Sequence, residues 1–268
     1  MQKKILFASD LDNTLLVSHR NRHAGDICVE LNKGSGQSFM TQRGIEFLRQ
    51  VNKRIGFVPI TTRSLEQYRR IDWPDGCEPE YAVTTNGAIL LRKGEVDENW
   101  SQRTRQIVDT CRDKMFEQQK ILSSSKYFRY CRVVDDSYLF LYCSEDADIE
   151  TCVEKCSRSQ TAFTLGQLGR KIYLFPSGLG KGEALKRLKE HLLSNYVYAA
   201  GDSPMDVSML NVADMSFAPT ELKGLVGENC LFQPDGILFS EWLLDEINKR
   251  MESAMKGVFN VSDSVASC

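Results

Sequence analysis

The sequence has 268 residues, enough for one large domain or two smaller ones, and 42% of them are hydrophobic while 26% are charged. That mixture is typical of a globular protein and argues against a disordered or fibrous chain. The formal net charge of -2 excludes a global attraction to nucleic acid or an acidic membrane surface. No apolar run approaches the roughly 20 residues of a membrane helix. We therefore expect a cytoplasmic protein with neither nucleic acid nor a membrane as a partner.

Nine cysteines invite a metal or a disulfide interpretation, and their spacing favours neither. No C-x-x-C pair is present, and the count is odd. Cys152 and Cys156 lie four residues apart on a predicted helix, but no second His/Cys pair accompanies them. Buried free thiols in a reducing compartment are the simpler interpretation.

The N-terminal segment predicts a buried strand, a hairpin and a helix, in that order. Residues 4–9 are a near-continuous apolar run that ends at Asp10, which is typical of a strand covered on both faces. Residues 26–40 contain two short extended stretches around a glycine-bearing turn, and this pattern predicts a β-hairpin. Thr41 can cap the helix that follows.

Further apolar segments predict the strands of a sheet at 55–60, 81–84 and 197–200. Each ends in polar residues, and helical patterns separate them. Such alternation favours βαβ units and therefore an α/β fold with a doubly wound, mainly parallel sheet. After the last of these strands, Ser203 at a cap and Pro204 at the first helical position predict a helix.

Between residues 88 and 176 the pattern changes to alternating strands with hairpin spacing. The predicted elements are a helix near Trp100 to Gln118, strands Phe128 to Val134 and Tyr138 to Cys143, a helix near Ala147 to Cys156, and a hairpin of Thr161 to Leu165 and Lys171 to Phe175. The order αββαββ predicts a separate α+β unit. We interpret 88–176 as a domain inserted into a core made of residues 1–87 and 177–268.

Polar side chains stand at the carboxyl ends of predicted strands, where open α/β sheets bind ligands. They are Asp10 and Asp12, then Thr61, then Lys181 at the start of a helix, then Asp202 and Asp206. Carboxylates, a hydroxyl and an ammonium suit phosphoryl transfer. A phosphate dianion repels a carboxylate nucleophile, so a divalent cation and a fixed ammonium must offset the charge. Hard oxygen ligands favour Mg²⁺.

Each of these residues also has an ordinary structural explanation when taken alone. Asp-x-Asp after a strand occurs in turns, and a threonine such as Thr61 often caps a helix. A lone lysine such as Lys181 is usually solvated, and Asp206 could merely complete a capping box with Ser203. Their order along successive strands is what favours a shared site.

The motifs resemble those of the haloacid dehalogenase superfamily. The segments similar to its first, second, third and fourth motifs are 7–15, Thr61, Lys181 and 201–206. The inserted unit, with the flanking segments 85–88 and 171–182, resembles the cap of the Cof-like and sucrose-phosphate-phosphatase-like branch. The resemblance covers nearly the whole chain, and it implies a Rossmann-like core sheet with an inserted α+β cap domain.

The resemblance also implies residue roles. Asp10 is expected to attack phosphorus, while Asp12 is expected to protonate the leaving oxygen and then activate water. The expected phosphate- and substrate-binding residues are Thr61, Thr62, Asn86 and Lys181. The expected Mg²⁺ ligands are Asp10, Asp12 through its carbonyl, Asp202, and Asp206, which acts through water or orients Lys181.

Three departures from the family pattern concern the shape of the site. Asn13 replaces a common Gly, and Thr62 stands where relatives have Gly, which leaves less room beside the phosphate. The hairpin at 26–40 is longer than this branch leads us to expect, and three roles are open for it: narrowing the entrance, covering substrate or mediating self-association. The cap residues that could bind hydroxyls or a second anion are Arg129, Arg132, Tyr142 and Arg170.

Three functions are compatible with these residues. The first is a phosphatase for a small phosphorylated metabolite, most readily a sugar phosphate. The second is a phosphomutase, which also passes through an aspartyl phosphate. The third is a phospho-accepting signalling or binding protein without turnover. Asp12, which is placed to hydrolyse the intermediate, and the inserted cap both argue against the third function. Activation by a bisphosphate without release of inorganic phosphate would distinguish the mutase.

Overall fold

Strands and short helices alternate along most of the chain. The computed structural model describes residues 4–157 and 162–265. The strands are β1 (Ile5–Ser9), β2 (Val17–Ser18), β3 (Ile27–Asn32), β4 (Ser35–Met40), β5 (Gly56–Pro59), β6 (Tyr81–Thr84), β7 (Ile89–Arg92), β8 (Glu95–Val96), β9 (Phe128–Val134), β10 (Tyr138–Cys143), β11 (Phe163–Leu168), β12 (Lys171–Pro176), β13 (Tyr196–Ala200), β14 (Met215–Ala218) and β15 (Cys230–Phe232). The α-helices are α1 (Gln42–Arg54), α2 (Leu65–Tyr68), α3 (Glu98–Asp109), α4 (Arg112–Ser123), α5 (Ile149–Ser157), α6 (Lys181–Leu192), α7 (Val207–Leu210) and α8 (Phe239–Val265). Short 3₁₀ helices cover Thr85–Gly87, Pro204–Asp206 and Thr220–Leu222.

Five parallel strands form the core sheet, in the order β15–β14–β13–β1–β5. β6 follows at the β5 edge through an isolated parallel bridge between Ile60 and Val83. Phe7 of β1 packs in one apolar cluster with residues of α1 and α8, whereas Leu6 packs in another with residues of α6. Helices therefore cover both faces of the sheet, which explains the continuous apolar run of β1 and confirms the predicted α/β fold class.

The predicted hairpin at 26–40 is present as β3 and β4, with β2 paired to the outer side of β4. Lys33 and Gly34 make the turn with φ of 51° and 80°, the left-handed conformations that a two-residue hairpin turn requires. Val29, Phe39 and Met40 are buried against the core. The hairpin is therefore packed onto the body of the protein along one face.

A second, antiparallel sheet has the order β11–β12–β10–β9, and we call it the cap sheet. One of its faces, which includes Leu139, Leu141 and Ile172, packs with residues of α3, α4 and α5. The opposite face carries a separate cluster of buried aromatic residues. The mixed α+β character predicted for this part of the chain is confirmed, whereas its division into a domain at 88–176 stays a prediction.

The helical part of the predicted order is wrong in one respect. The single helix predicted from Trp100 to Gln118 is two helices, α3 and α4, because Cys111 leaves the helical region with φ of -136° and ψ of 9°. The short pair β7–β8, which continues antiparallel from β6, was not predicted. The predicted strand start at Thr161 lies outside the described residues, and β11 begins at Phe163.

The described cysteines are free thiols, and most of them are buried. Among residues 4–157 and 162–265, no helix combines the length and the apolar character that crossing a membrane would need.

Candidate active site

The turn after β1 places the first motif at the carboxyl edge of the core sheet. The backbone N–H of Asp10 donates to the carbonyl of Ala200 at the end of β13, over 2.9 Å. Asn13 then adopts φ of 60°, a left-handed conformation that asparagine tolerates better than most residues. This explains how Asn can stand where relatives commonly have Gly.

Lys181, the first residue of α6, is held between two carboxylates. Its Nζ lies 2.5 Å from Oδ1 of Asp10 and 2.6 Å from Oδ1 of Asp206. Only 2% of the lysine side chain is exposed, so these bonds form away from bulk water. Asp202 joins the group from the neighbouring loop and accepts a hydrogen bond from the Thr14 hydroxyl at 3.1 Å. We call Asp10, Lys181, Asp202 and Asp206 the Lys181 cluster.

The loop after β13 fixes Asp206 tightly. Its Oδ2 accepts hydrogen bonds from the backbone N–H of Ser203 at 3.0 Å and from the Ser203 hydroxyl at 2.8 Å, so the predicted capping box is present. A Cβ on Gly201 would come within 2.3 Å of the Asp206 Cβ, and only glycine leaves room for this approach. Because Oδ1 meets Lys181, both carboxylate oxygens of Asp206 are engaged.

The Lys181 cluster carries three carboxylates and one ammonium, and burial together with these charges shifts the pKa values of its members. Burial is the largest cause of a raised pKa for Asp10, and the charges of Asp206 and Asp202 add to it. Burial, followed by the charge of Asp206, raises the pKa of Asp202 to about 6. Burial alone would lower the pKa of Lys181, but the carboxylates of Asp10 and Asp206 raise it above its ordinary value.

The same charge imbalance suits a divalent cation. Oxygen atoms of Asp10, Asp202 and Asp206 lie within 4.8 Å of one another. Carboxylate oxygens are the hard ligands that Mg²⁺ prefers, and a bound cation would offset the charge that one lysine leaves unbalanced. The side chain of Asp12 does not belong to this group, so only its carbonyl, as the resemblance implies, remains a candidate ligand.

The Asp12 side chain instead belongs to a second cluster around Arg63. The guanidinium donates to both Asp12 oxygens, from Nη2 to Oδ1 at 2.6 Å and from Nε to Oδ2 at 2.9 Å. On its other side, Nη1 donates to Oε2 of Glu30 at 2.9 Å. This two-sided arrangement uses the planar fork of arginine, which a lysine could not reproduce.

Glu30 comes from β3 of the hairpin, and only 1% of its side chain is exposed. Its Oε2 also accepts the Ser38 hydroxyl at 2.6 Å, and its Oε1 accepts from Nε of Arg70 at 3.0 Å. The hairpin thus brings a buried carboxylate to the arginine that holds Asp12. We call Asp12, Arg63, Glu30, Ser38 and Arg70 the Arg63 cluster.

The Arg63 cluster keeps Asp12 ionised. Burial would raise the pKa of the Asp12 carboxyl, but the hydrogen bonds and the charge of Arg63 lower it below its ordinary value, with smaller contributions from Lys181 and Lys171. About half of the Asp12 side chain is nevertheless exposed. The carboxylate therefore has one side on Arg63 and the other open to a cavity.

The predicted phosphate- and substrate-binding residues do not all lie in one place. Thr61 is fully buried, and its hydroxyl oxygen accepts a hydrogen bond from the backbone N–H of Arg63 at 3.2 Å. Thr62 lines a cavity of about 290 Å³ together with Asp12. Asn86, with φ of 54°, lines a different cavity of about 390 Å³ together with Lys181.

Hydrogen bonds join the cap sheet to the loops that follow β5 and β6 of the core. The Tyr138 hydroxyl donates to the carbonyl of Thr62 at 3.1 Å. In the turn between β9 and β10, Asp135 accepts from the Thr85 hydroxyl at 2.5 Å and from the backbone N–H of Leu65 at 2.9 Å. The cap sheet is therefore tied directly to the loops that follow β5 and β6.

The four candidate cap residues have different environments. Arg132 lines the cavity with Asp12. Arg129 lies 3.6 Å from Glu145 in an exposed ion pair, and Arg170 donates to the carbonyls of Ser144 and Ala147. Tyr142 stacks on Tyr130 with ring centroids 5.5 Å apart.

Sequence reasoning assigned no role to Arg63 and did not single out Glu30. Arg63 directly follows Thr61 and Thr62 in the sequence, so its position beside two predicted site residues is a usable signal. Glu30 stood among apolar residues in a predicted strand, and a charged residue at a buried strand position generally needs a partner. That partner lies 33 residues away, and nothing in the local pattern identifies it.

The sequence was compared with protein-family models and with curated proteins. Residues 115–222 match the family model of haloacid dehalogenase-like hydrolases. Among curated proteins, none matches the sequence significantly. The matched segment contains Lys181 and residues 201–206, two of the four motifs on which the resemblance rests.

Solved structures share the fold at low sequence identity. The Synechocystis sucrose-phosphatase, solved in complex with sucrose and phosphate, superposes with a TM-score of 0.67 at 14% identity, covering 92% of this chain and 97% of its own. A trehalose-6-phosphate phosphatase related protein gives 0.57 at 17% identity, with coverages of 94% and 99%. A haloacid dehalogenase-like hydrolase from B. subtilis gives 0.51 at 18% identity, with coverages of 83% and 90%. At these identities the likeness is one of fold.

Proposed function

We propose that this protein, of which residues 115–222 match the family model of haloacid dehalogenase-like hydrolases, is a Mg²⁺-dependent phosphatase that hydrolyses a small phosphorylated sugar through a phospho-aspartyl intermediate on Asp10. The observation that carries the proposal is the Lys181 ammonium held between Asp10 and Asp206 at the carboxyl edge of the parallel sheet. A carboxylate nucleophile and a phosphate dianion repel each other. A cation fixed beside the carboxylate reduces this repulsion.

In the first half-reaction, a carboxylate oxygen of Asp10 attacks phosphorus while the bond from phosphorus to the ester oxygen breaks. Lys181 neutralises part of the charge on the phosphate oxygens, and Asp206 holds its ammonium in place. Thr61, Thr62 and Asn86 are proposed as further contacts to phosphate or substrate.

Asp12 is proposed to give its proton to the leaving oxygen and to take one from the attacking water in the second half-reaction. That water forms a new bond to phosphorus, the bond to Asp10 breaks, and inorganic phosphate leaves. The donor must carry a proton, whereas Arg63 holds Asp12 ionised in the structure. The proposal therefore includes a loosening of the pair between Asp12 and Arg63 when substrate binds.

The cation would be held by Asp10, Asp202 and Asp206, together with the carbonyl of Asp12. When bound, Mg²⁺ supplies positive charge that reduces the repulsion between the phosphate and the carboxylates.

A sugar phosphate is supported by the aromatic surface of the cap sheet, which lies over the cavity beside Asp12. The fold is also shared by a sucrose-phosphatase and a trehalose-6-phosphate phosphatase related protein. We propose that residues 88–176 act as a cap that covers the substrate, excludes water and selects among phosphate esters, while residues 1–87 and 177–268 carry the chemistry.

The test is a screen of phosphorylated sugars, nucleotides and polyols for release of inorganic phosphate with Mg²⁺ present. Asp10→Asn removes the nucleophile with little change in shape, so its turnover should fall to near zero. Mass spectrometry of acid-quenched wild-type enzyme should find a phosphoryl group on the Asp10 peptide. Undiminished phosphate release by the variant would remove Asp10 from the mechanism.

A phosphomutase would respond differently to the same assay. If a sugar bisphosphate activated isomer formation without phosphate release, the mutase would replace the phosphatase. A phosphorylated Asp10 that persists without turnover would instead favour a phospho-accepting binding protein.

A further inference from the structure

The face of the cap sheet that looks toward the core is built from aromatic residues on alternate strand positions. They are Tyr130, Tyr138, Phe140, Tyr142, Tyr173 and Phe175, and we call them the aromatic face. Neighbouring rings are in contact: the centroids of Phe140 and Tyr173 lie 5.2 Å apart, and those of Tyr173 and Phe175 lie 5.6 Å apart. Such a surface can stack against the apolar side of a sugar ring or another flat ring.

Two cationic side chains interrupt the aromatic face. In the sheet register Arg132 stands opposite Phe140, and Lys171 stands opposite Tyr142. The Arg132 guanidinium lies 5.7 Å from the centroid of the Phe140 ring. Within residues 4–157 and 162–253, neither Arg132 nor Lys171 forms an ion pair, although both line the cavity of about 290 Å³. We call these two residues the cationic subsite.

The remaining charges of the cavity do not compensate the cationic subsite. Two other cations line it, Arg63 and Arg70, and the two acidic lining residues, Asp12 and Glu30, are already bonded to them. Two positive charges are left unmatched in a chain whose formal net charge is -2. Concentrated positive charge in a cleft with aromatic walls attracts anions.

The same cavity brings the cationic subsite together with Asp12, the proposed proton donor. Tyr173 lies on the aromatic face two residues from Lys171, is separated from Arg132 by Phe140, and lines the cavity with both cations and with Asp12. A ligand that fills this cavity would therefore meet both Asp12 and the cationic subsite. The cavity volume of about 290 Å³ is at the small end of ligand pockets, which run from roughly 300 to 1,000 Å³.

We propose that Arg132 and Lys171 bind a second anionic group of the substrate while its ring lies on the aromatic face. This inference rests on the proposed phosphatase function and narrows its substrate to ring-containing phosphate monoesters that carry a carboxylate or a second phosphate. Sugar-acid phosphates and sugar bisphosphates belong to this class, whereas neutral hexose monophosphates do not.

The test compares two matched substrate pairs. α-Glucose 1-phosphate and α-glucuronic acid 1-phosphate differ only by a hydroxymethyl group in place of a carboxylate, and fructose 6-phosphate differs from fructose 1,6-bisphosphate by one phosphate. We expect kcat/KM to favour the anionic member of at least one pair by about 10–100-fold, the range for a hydrogen bond to a charged group. Equal values, or a preference for the neutral member in both pairs, would overturn the inference.

Substitutions in the cationic subsite test whether its two residues cause the preference for the anionic substrate. Arg132→Met and Lys171→Met should each lower the preference about tenfold, mainly by raising KM for the anionic substrate. Arg129→Met is the matched control, because Arg129 lies on the same strand but pairs with Glu145 and is not among the residues that line the cavity. The ratio of kcat/KM values for the anionic and neutral substrates in this variant should equal that of the wild type. An unchanged ratio in both Arg132→Met and Lys171→Met would exclude these residues.

The two hypotheses can fail separately. Hydrolysis of p-nitrophenyl phosphate by the wild type, and its loss in Asp10→Asn, test the phosphatase without involving the cationic subsite. If that hydrolysis occurs and neither pair shows an anionic preference, the second-anion inference fails alone.

Discussion

The Lys181 cluster and the Arg63 cluster share one arrangement, a single cation between two carboxylates, but their surroundings differ. Lys181 is almost fully buried between Asp10 and Asp206. Arg63 joins the deeply buried Glu30 to Asp12, which is about half exposed. The first cluster is mostly buried and carries more carboxylates than cations. The second is open on one side, so a substrate in the cavity can rearrange it.

The clusters also differ in charge balance. The Lys181 cluster has three carboxylates for one ammonium, whereas the Arg63 cluster has two carboxylates for two guanidinium groups, Arg63 and Arg70. The first cluster could therefore hold a cation, whereas the charges of the second cluster balance one another.

Removal of divalent cations should have the largest effect. Chelation should abolish turnover, and added Mg²⁺ should restore it, because the Lys181 cluster lacks positive charge. Mg²⁺ should also raise the thermal unfolding midpoint of the wild type, since a ligand that binds only the folded state stabilises it. Asp202→Asn is the control and should show a smaller rise. Full turnover after exhaustive chelation would contradict this view of the Lys181 cluster.

Glu30→Ala should cost the most in stability among single substitutions in the Arg63 cluster. It leaves Arg63 and Arg70 without their buried partner, and breaking a buried pair in this way typically lowers the free energy of unfolding by about 3–5 kcal/mol. Urea denaturation measures the change. Glu66→Ala removes a carboxylate that is 87% exposed and lies 3.8 Å from Arg70, so it should be close to neutral. Equal effects of the two substitutions would show that Glu30 is not a structural anchor.

Lys181→Met should lower kcat by about 10²–10³-fold, the usual cost of removing one group that stabilises developing charge. The matched control is Lys186→Met on the exposed side of the same helix, where the lysine pairs only with Glu183. Circular dichroism should confirm that both variants are folded before their rates are compared. If a folded Lys181→Met variant kept the wild-type rate, the ammonium would have no part in catalysis.

Ser38→Ala should have the smallest effect. The Ser38 hydroxyl donates to Glu30 and accepts from Arg63, and hydrogen bonds to charged groups of this kind contribute about 1.5 kcal/mol. We expect a correspondingly small loss in the free energy of unfolding, with Arg63 still bonded to Asp12. Ser35→Ala, at the exposed start of β4, is the control and should be neutral. A loss as large as that of Glu30→Ala would mean that the hydroxyl, and not the carboxylate, anchors Arg63.

Local pattern was sufficient for much of the core. The apolar run before Asp10 predicted β1, and Ser203 with Pro204 predicted the helical turn that carries Asp206. Both signals are short-range, because strand burial and helix capping act on neighbouring residues. The break between α3 and α4 was missed because the helical spacing of apolar residues continues across Cys111 while the backbone does not.

The candidate site also contains some residues whose meeting could be predicted from the sequence and others whose pairing could not. Asp10, Lys181, Asp202 and Asp206 could be expected to meet, because the carboxyl ends of parallel strands share one edge of the sheet. The partnership of Arg63 with Glu30 could not be read locally, since it depends on how the hairpin folds back over the loop after β5. Likewise, the sequence could not show that Arg132 lines the cavity while Arg129 does not, since this depends on how β9 is placed in the cap sheet.

By itself, then, the sequence determined the α/β class, the strand that ends in Asp10 and the set of polar residues at the sheet edge, since periodicity, capping and strand order are encoded over short stretches. Only the tertiary structure decided which cation each carboxylate meets and which face of the cap sheet looks into the cavity. The physical reason is that ion pairs and cavities form between residues far apart in the chain, where packing rather than local pattern sets the distances.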